Sequence, residues 1–216
     1  MRAMTIAAAL LTLTSAAVPS ASLRAAEAPG AGAWEIGPII RGRNYSVGMP
    51  LSPTPARRGW SFDFPTADTG HVHYLTFRHG PLTGKNRIVM RYRIDAPRGT
   101  RFVPQQWPQQ TALVSLYFQR SGDNWSGRGR FDGYRWYAPF STAVPLSPGE
   151  HVLSVPLDNA WGGVNTFMAA THPQQFQDAL DNADRVGFVL GSVNGRGHGV
   201  YATAPARFTV LSFQVI

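Results

Sequence analysis

One stretch decides the fold class: residues 87–94 read Arg-Ile-Val-Met-Arg-Tyr-Arg-Ile. Four apolar residues occupy the even positions, and three arginines and a valine occupy the odd ones. Successive side chains of a β-strand point to opposite faces of its sheet. The alternation therefore predicts a strand with one buried face and one mostly basic outer face.

Seven further segments have the character of strands, and turn signals separate them. They cover residues 60–64, 71–78, 111–119, 134–140, 152–157, 186–190 and 208–216. Eight strands joined by long loops, instead of two-residue hairpins, predict an all-β protein folded as a single jelly-roll-type β-sandwich. We expect at most one short helix, near residues 173–182, because Pro173 stands at an early helical position there.

The composition fits one folded domain. The chain has 216 residues, of which 44% are hydrophobic and only 15% are charged, and it contains no cysteine. A disordered chain would be rich in charge and poor in hydrophobic residues, so that class is excluded. The lack of cysteine excludes a disulfide framework, a cysteine-ligated zinc site and a thiol nucleophile.

The N-terminus has the pattern of a secretory signal peptide. Arg2 precedes an apolar run over residues 6–18, and Ala26-Glu27-Ala28 fits the small-residue pattern of a cleavage site. A bilayer-spanning helix needs about 20 apolar residues, so a membrane anchor is the less favoured alternative. We expect a signal peptide over residues 1–28, one β-sandwich domain over residues 29–216, and a periplasmic or extracellular protein that does not span the membrane after cleavage.

The charge is lopsided. The formal net charge is +8, and 19 of the 20 basic residues are arginine. Arginine is suited to planar, bidentate recognition of carboxylate, sulfate or phosphate, which for an exported protein indicates an acidic polysaccharide or lipopolysaccharide. A base-composition bias of the genome is the alternative explanation. No recognised binding motif accompanies the charge, so nucleic acid is not expected as a partner.

Five segments share an order of strands and aromatic residues that resembles a known family. They are 134–137 (Tyr-Arg-Trp-Tyr), 147–151 (Ser-Pro-Gly-Glu-His), 154–158 (Ser-Val-Pro-Leu-Asp), 186–191 (Val-Gly-Phe-Val-Leu-Gly) and 208–213 (Phe-Thr-Val-Leu-Ser-Phe). With them, residues 60–216 resemble secreted galactose-binding-domain-like jelly rolls, a group that includes many carbohydrate-binding modules. The resemblance implies a ligand at loops or on a concave sheet face, and often a structural calcium near the sheet edge. No residue matches a family motif, so no functional position is transferred and no calcium ligand is assigned.

The segment 121–137 is the densest in glycine, arginine, aromatic and hydrogen-bonding residues. Sugars present an apolar face that stacks on Trp or Tyr and a hydroxyl rim that hydrogen-bonds to Asp, Asn and Arg. Trp136 alternates with Tyr134 and is expected in the core, whereas Trp125 lies in the loop. We predict ligand contacts from Asp123, Asn124, Trp125, Arg128, Arg130 and Arg135. The alternative is that Trp125 serves only to pack the loop.

A second glycine-rich loop, residues 195–201, reads Gly-Arg-Gly-His-Gly-Val-Tyr. Its glycines allow a close backbone approach, and Arg196, His198 and Tyr201 could converge on a ligand there. Two alternatives stay open: a plain turn with a buried Tyr201, and a polysaccharide lyase. In a lyase, an arginine would neutralise the uronate carboxylate while His or Tyr removes the C5 proton.

Other chemistry finds little support. A glycosidase needs two carboxylates that flank the scissile bond, and the few acidic residues form no such motif. Asp63 stands opposite three aromatics on a predicted strand, as an exposed residue or, alternatively, as one that faces a ligand or calcium. His71 and His73 share a strand face and could bind a metal with His79, but without a nearby carboxylate no metal site is expected.

The function that the sequence favours is an exported, non-catalytic, carbohydrate-binding-like β-sandwich. Its partner would be a cell-surface or extracellular polysaccharide, neutral or acidic, with no catalytic residues and no cofactor apart from an unassigned structural calcium. The alternatives are a polysaccharide lyase that uses the Arg/His/Tyr site, and a structural or protein-interaction β-sandwich without glycan binding. Fold alone does not decide among them.

Overall fold

The computed structural model describes residues 28–68, 72–165 and 167–216. Residues 1–27 of the predicted signal peptide, and His71, lie outside the described residues. The strands are β1 Trp34–Gly37, β2 Ile39–Ile40, β3 Arg43–Asn44, β4 Thr54–Pro55, β5 Trp60–Asp63, β6 His73–Arg78, β7 Arg87–Asp95, β8 Phe102–Pro104, β9 Leu113–Arg120, β10 Arg135–Tyr137, β11 Val144–Pro145, β12 Gly149–Pro156, β13 Gly162–Gly163, β14 Ala183–Gly191, β15 Val200–Ala202 and β16 Arg207–Val215. The α-helix is α1 Pro173–Asp181, and 3-10 turns cover Ala31–Ala33, Gly129–Phe131 and Phe140–Thr142.

The strands form two main antiparallel sheets. The larger sheet has the order β1-β6-β14-β9-β10-β13, with β11 against β9, and the smaller has the order β12-β7-β16-β5-β4. Two short pairs, β2–β3 and β8–β15, lie outside them. The prediction of an all-β sandwich with one short helix is confirmed, and each of the eight predicted segments contains a strand.

The path of the chain is that of a jelly roll. Of the eight principal strands, β5, β7, β12 and β16 belong to the smaller sheet, and β6, β9, β10 and β14 belong to the larger one. The chain therefore crosses between sheets at every step except from β9 to β10. This repeated crossing places sequence neighbours in opposite layers, as in double-sheet jelly rolls.

The two sheets pack face to face around one core. The ring centroids of Trp34 and Trp60 lie 4.5 Å apart, and those of Phe188 and Phe208 lie 5.2 Å apart, so each pair joins the larger sheet to the smaller. On β7 the even-numbered apolar residues are buried and the arginines are exposed, as the alternation predicts. Trp136 is buried in the core, which confirms its predicted position.

Strand β16 departs from the predicted alternation. The sequence pattern places Leu211, Phe213 and Val215 on one face, but a β-bulge between Val210 and Ser212 shifts the register. Leu211 lines a groove on the outer face, whereas Phe213 is buried. An extra residue in one strand reverses which side chains face the core beyond it, so the prediction for Leu211 was wrong.

Helix α1 packs its apolar face against the core. Pro173 occupies its first turn, and Phe176, Ala179 and Leu180 form its buried face. The Phe176 ring lies 4.9 Å from the Trp136 ring between centroids. Within the part of the chain that the structure describes, no helix has the length and hydrophobicity needed to cross a bilayer.

Candidate functional site

The outer face of the larger sheet carries polar and aromatic side chains in rows. Residues that alternate with the core positions come side by side there because the strands pair in register. One row consists of Arg78, Arg185, Gln119 and Arg135, and the next of Glu35, Thr76, Gly187, Tyr117 and Tyr137. Residues of two loops, 121–134 and 191–199, pack over part of this face.

Three tyrosines form a small apolar cluster on this outer face, together with Val189. The hydroxyl oxygens of Tyr74 and Tyr137 lie 2.8 Å apart, within hydrogen-bond distance, and the Tyr74 and Tyr117 rings meet edge to face at 5.0 Å. Burial raises the pKa of Tyr74 and of Tyr117 well above the ordinary value of 10.0. Both hydroxyls are therefore neutral at physiological pH and are poorly suited to act as bases.

A buried ion pair fastens loop 121–134 to the sheet. The Arg135 Nε atom lies 2.9 Å from the Asp123 Oδ2 atom, and these side chains are 9% and 0% exposed. The other carboxylate oxygen of Asp123 accepts a hydrogen bond from the Trp125 amide at 2.9 Å, and Gln119 donates to Oδ2 at 3.0 Å. The Arg135 guanidinium also donates to the Trp125 carbonyl at 3.0 Å, so both charges serve to hold the loop backbone.

Trp125 stands at the point where this loop turns over the tyrosine cluster. Its φ of 66° is in the left-handed region, which is uncommon for a bulky residue and is held here by the bonds from Asp123 and Arg135. The indole is half-buried and meets the Tyr74 ring edge to face at 5.1 Å, while the Arg135 guanidinium lies 5.0 Å from its centroid. Trp125 thus packs the loop, as one alternative predicted, and also lines a groove.

Trp125 lines a groove on the outer face of the larger sheet, which we call the Trp125 groove. It has a volume of about 230 Å³. It lies on the larger sheet between loop 121–134 and the backbone of residues 37–39. Its polar wall includes Glu35, Thr76, Gln119, Asp123, Asp184 and Arg185.

A second ion pair, between Glu35 and Arg185, lines the same groove as Trp125. The Arg185 guanidinium donates to both carboxylate oxygens of Glu35, at 2.9 Å and 3.4 Å, and to the Thr76 hydroxyl at 3.4 Å. Glu35 and Arg185 remain 32% and 22% exposed, so both can still reach a ligand. The groove therefore presents donors and acceptors in fixed positions beside an indole.

The second predicted loop, residues 195–201, contributes Arg196 and Gly197 to the same face. The Arg196 guanidinium lies 3.9 Å from the Phe140 ring centroid and 5.0 Å from that of Tyr137, and it donates to the Ala138 carbonyl. It makes no ion pair within residues 28–68, 72–165 and 167–216. Burial lowers its pKa to about 10, which leaves it charged at neutral pH.

The structure does not bring Arg196, His198 and Tyr201 together by any contact among the described residues. Arg196 turns toward Tyr137 and Phe140, whereas His198 is exposed. Tyr201 is half-buried on β15, where it pairs with Val103. Arg196 and Tyr201 thus have partners of their own, outside the set that the lyase alternative requires in one place.

The remaining predicted contacts lie on the exposed part of loop 121–134. Asn124 accepts a hydrogen bond from the Ser126 amide at 2.9 Å, and Arg130 lies 4.8 Å from the Phe131 ring centroid. Arg128 and Arg130 are both exposed. Asp123, Trp125 and Arg135 meet in the structure, while Asn124, Arg128 and Arg130 stay at the solvent side of the loop.

His73 and Asp63 each have a structural partner in the fold. His73 is buried, and its Nδ1 accepts a hydrogen bond from the Val200 amide at 3.1 Å. Asp63 is exposed and pairs with Arg207. Among the residues that the structure describes, no group of three or more His, Asp or Glu side chains could hold a metal ion. The expectation of a structural calcium stays untested.

Sequence reasoning missed the wall formed by Glu35, Thr76 and Arg185. The sequence does indicate that two of them face away from the core, because Glu35 lies between the apolar Trp34 and Ile36, and Thr76 lies between Leu75 and Phe77. Their shared groove was not visible, because Glu35 and Arg185 are separated by 150 positions in the chain.

Comparison with protein-family models finds no match for this chain, and comparison with curated proteins finds none either.

Proposed function

We propose that this protein is an exported, non-catalytic carbohydrate-binding β-sandwich whose ligand site is the Trp125 groove. One observation carries the proposal: a half-buried indole and a hydrogen-bonded Glu35–Arg185 pair face the same small groove on a sheet surface. Sugars need both an apolar surface for their C–H face and fixed polar groups for their hydroxyls. The groove offers the two side by side.

The side chains that hold the Trp125 groove in place favour ligand binding over catalysis. Arg135 and Asp123 are occupied by each other and by the Trp125 backbone, so they position the indole. Glu35 is held by Arg185, and the hydroxyls of Tyr74 and Tyr137 are bonded to each other. A preorganised set of paired groups lowers the cost of ordering a ligand but offers no free base.

We also propose that the protein is related to the galactose-binding-domain-like modules. The jelly-roll path and the ligand groove on one sheet face support it. Export to the periplasm or exterior is part of the same proposal and rests on the N-terminal sequence pattern.

The test is a glycan array probed with leader-less protein, followed by titration of the best neutral glycan. Trp125→Ala should weaken binding about tenfold or more, because the stacking surface is lost. Trp125→Phe should retain most of it, and Glu35→Gln should weaken it through the lost acceptor charge. Phe140→Ala removes an exposed ring outside the groove and serves as the matched control. Thermal unfolding establishes that each variant is folded.

Unchanged affinity in folded Trp125→Ala, or an equal loss in Phe140→Ala, would contradict this site. A folded wild type that binds no glycan would favour the protein-interaction alternative and would overturn the proposal.

A further inference from the structure

The smaller sheet carries a larger groove on its own outer face. It has a volume of about 630 Å³ and runs over β5, β16 and the end of β7. Ser61 and Thr209, which pair across β5 and β16, line it together with the bulged Leu211. Four arginines also line it: Arg57, Arg58, Arg93 and Arg207. We call it the arginine groove.

The charge of this face is positive, because its arginines outnumber its carboxylates. Arg87 and Arg91 extend the set along β7 to six arginines, and the carboxylates are Asp63, Asp95 and Glu150. Arg207 binds both oxygens of Asp63 at 2.7 Å and 3.1 Å, and Arg93 binds Asp95 at 3.0 Å. Arg91 lies 3.7 Å from Glu150. Each of the three carboxylates thus already has an arginine partner.

Three of the six arginines have no carboxylate partner among the described residues. Arg87, which lies outside the lining of the groove, donates to the Ser154 hydroxyl at 3.1 Å, and Arg57 and Arg58 are the other two. Both are exposed, and neither makes an ion pair within the described ranges 28–68, 72–165 and 167–216. Two adjacent arginines without carboxylate partners thus line the groove, and a guanidinium can bind a carboxylate or sulfate bidentately.

The backbone fixes these two arginines over the groove. They form the tip of the β4–β5 hairpin, which the hydrogen bond from the Ala56 amide to the Gly59 carbonyl closes at 3.1 Å. Gly59 follows with a φ of 70°, as a glycine does in the G1-bulge type of hairpin. A Cβ at Gly59 would lie 1.8 Å from the Val210 carbonyl oxygen, so the tip is seated directly on β16.

We propose that the arginine groove binds a linear acidic polysaccharide, separately from the Trp125 groove. The unpaired Arg57 and Arg58 would take a carboxylate or sulfate of the chain. The Arg207–Asp63 and Arg93–Asp95 pairs would offer donors and acceptors to its hydroxyls. On β7, Arg91 and Arg93 follow each other at about 7 Å on the outer face, and Arg87 lies about 13 Å from Arg91 because Val89 stands between them.

The lining of the groove favours a polysaccharide over a nucleic acid. Single-stranded nucleic acids bind by stacking their bases on exposed aromatic side chains. The only aromatic residue among the described lining residues is Phe64, which is 4% exposed. The groove thus supplies charge and hydrogen bonds but no stacking surface.

This inference deepens the proposed function by naming a charge class of ligand, but it rests on a different sheet and different residues. The probe is sodium polygalacturonate, titrated against the leader-less protein at low and at high salt. Arg57→Gln/Arg58→Gln should weaken binding about tenfold or more at low salt and lose most of the salt dependence. Loss of polygalacturonate binding in Trp125→Ala, with Arg57→Gln/Arg58→Gln at wild-type affinity, would instead place this ligand in the Trp125 groove; a failure of neutral-glycan binding alone would leave the arginine groove standing.

The matched control is Arg41→Gln/Arg43→Gln, which removes the same charge from the exposed β2–β3 hairpin, outside the lining of both grooves. It should retain wild-type affinity for polygalacturonate. Wild-type affinity in Arg57→Gln/Arg58→Gln, or an equal loss in the control variant, would overturn the inference. So would tighter binding of an oligothymidylate than of polygalacturonate, because that would indicate a nucleic-acid site.

Discussion

Asp123 and Arg135 form a buried ion pair, with 2.9 Å between Oδ2 and Nε, and both partners hold the backbone of Trp125. The pair joins loop 121–134 to β10 and so fixes one wall of the Trp125 groove. Two charges with side-chain exposures of 0% and 9% are costly to separate, because each alone would be a desolvated charge.

Removing one partner should therefore be strongly destabilising. We expect Arg135→Met to lower the free energy of unfolding by about 3–5 kcal/mol, since Asp123 would remain buried without a counterion. Asp123→Asn/Arg135→Met should recover most of that loss, because no charge is left unpaired. Arg207→Met, which breaks the exposed pair with Asp63, should cost less than about 1 kcal/mol. Urea unfolding measures all three, and equal losses in Arg135→Met and Arg207→Met would contradict the argument.

The buried Asp123 carboxyl should make the free energy of unfolding depend on pH. Burial raises the pKa of Asp123 above its ordinary value of 3.8, and the Arg135 charge offsets only part of that effect. The folded protein thus binds this proton more tightly than the unfolded chain does. The stabilisation that protonated Asp123 contributes to the folded state is fully present below pH 3.8 and is lost as pH rises through the raised pKa. As pH rises from below 3.8 through the raised pKa, the unfolding free energy of wild type should fall relative to Asp123→Asn. A difference that stays constant or rises with pH would contradict the raised pKa.

The fold could be predicted because its long strands carry clear periodicity. In β7, buried and exposed residues alternate over nearly the whole strand, and α1 begins at the predicted proline. Strand β1 was not predicted, because four residues between a 3-10 turn and Pro38 are too few to show a period. The bulge at Leu211 was missed for a different reason: it depends on pairing with β7 and leaves no local sequence signal.

The candidate site was predictable only where its residues are close in sequence. Asp123, Trp125 and Arg135 belong to one segment, and the structure brings them together. Glu35 and Arg185 meet only because β1 and β14 both pair with β6, a relationship that strand patterns do not reveal. Loop 191–199, which contains Arg196, likewise approaches Tyr137 only because of the order of the strands in the larger sheet.

Gly197 gives a direct test of how the 191–199 loop is seated. A Cβ at this position would lie 2.5 Å from the Tyr74 ring, and φ is 79°. Gly197→Ala should therefore cost about 2–4 kcal/mol, from backbone strain plus overlap with the ring. Gly84 has a φ of 74° and nothing within 4 Å, so Gly84→Ala should show the strain alone, about 1 kcal/mol. Equal losses in thermal or urea unfolding would mean that the loop does not rest on Tyr74.

The bulge in β16 predicts opposite sensitivities for two nearby apolar residues. Phe213 is buried and packs 5.2 Å from the Trp34 ring, so Phe213→Ala should cost about 3–5 kcal/mol. Leu211 faces the arginine groove, so Leu211→Ala should cost less than about 1 kcal/mol. Without the bulge, residues 211 and 213 would share one face and lose similar amounts. Denaturant unfolding of the two variants separates the two arrangements.

The lyase alternative requires a reaction whose product can be measured directly. Elimination from a uronate requires a base at the C5 proton and a cation at the carboxylate, both fixed before the substrate arrives. Arg196 faces Tyr137 and Phe140, His198 is exposed, and Tyr201 pairs with β8. Burial raises the pKa of Tyr74, which keeps that hydroxyl protonated. We therefore expect no ultraviolet-absorbing unsaturated product from polygalacturonate or alginate, and binding by His198→Ala within about twofold of wild type. Steady product formation by wild type that His198→Ala abolishes would show that the loop assembles a catalytic site with substrate present, and would replace the binding function with an enzymatic one.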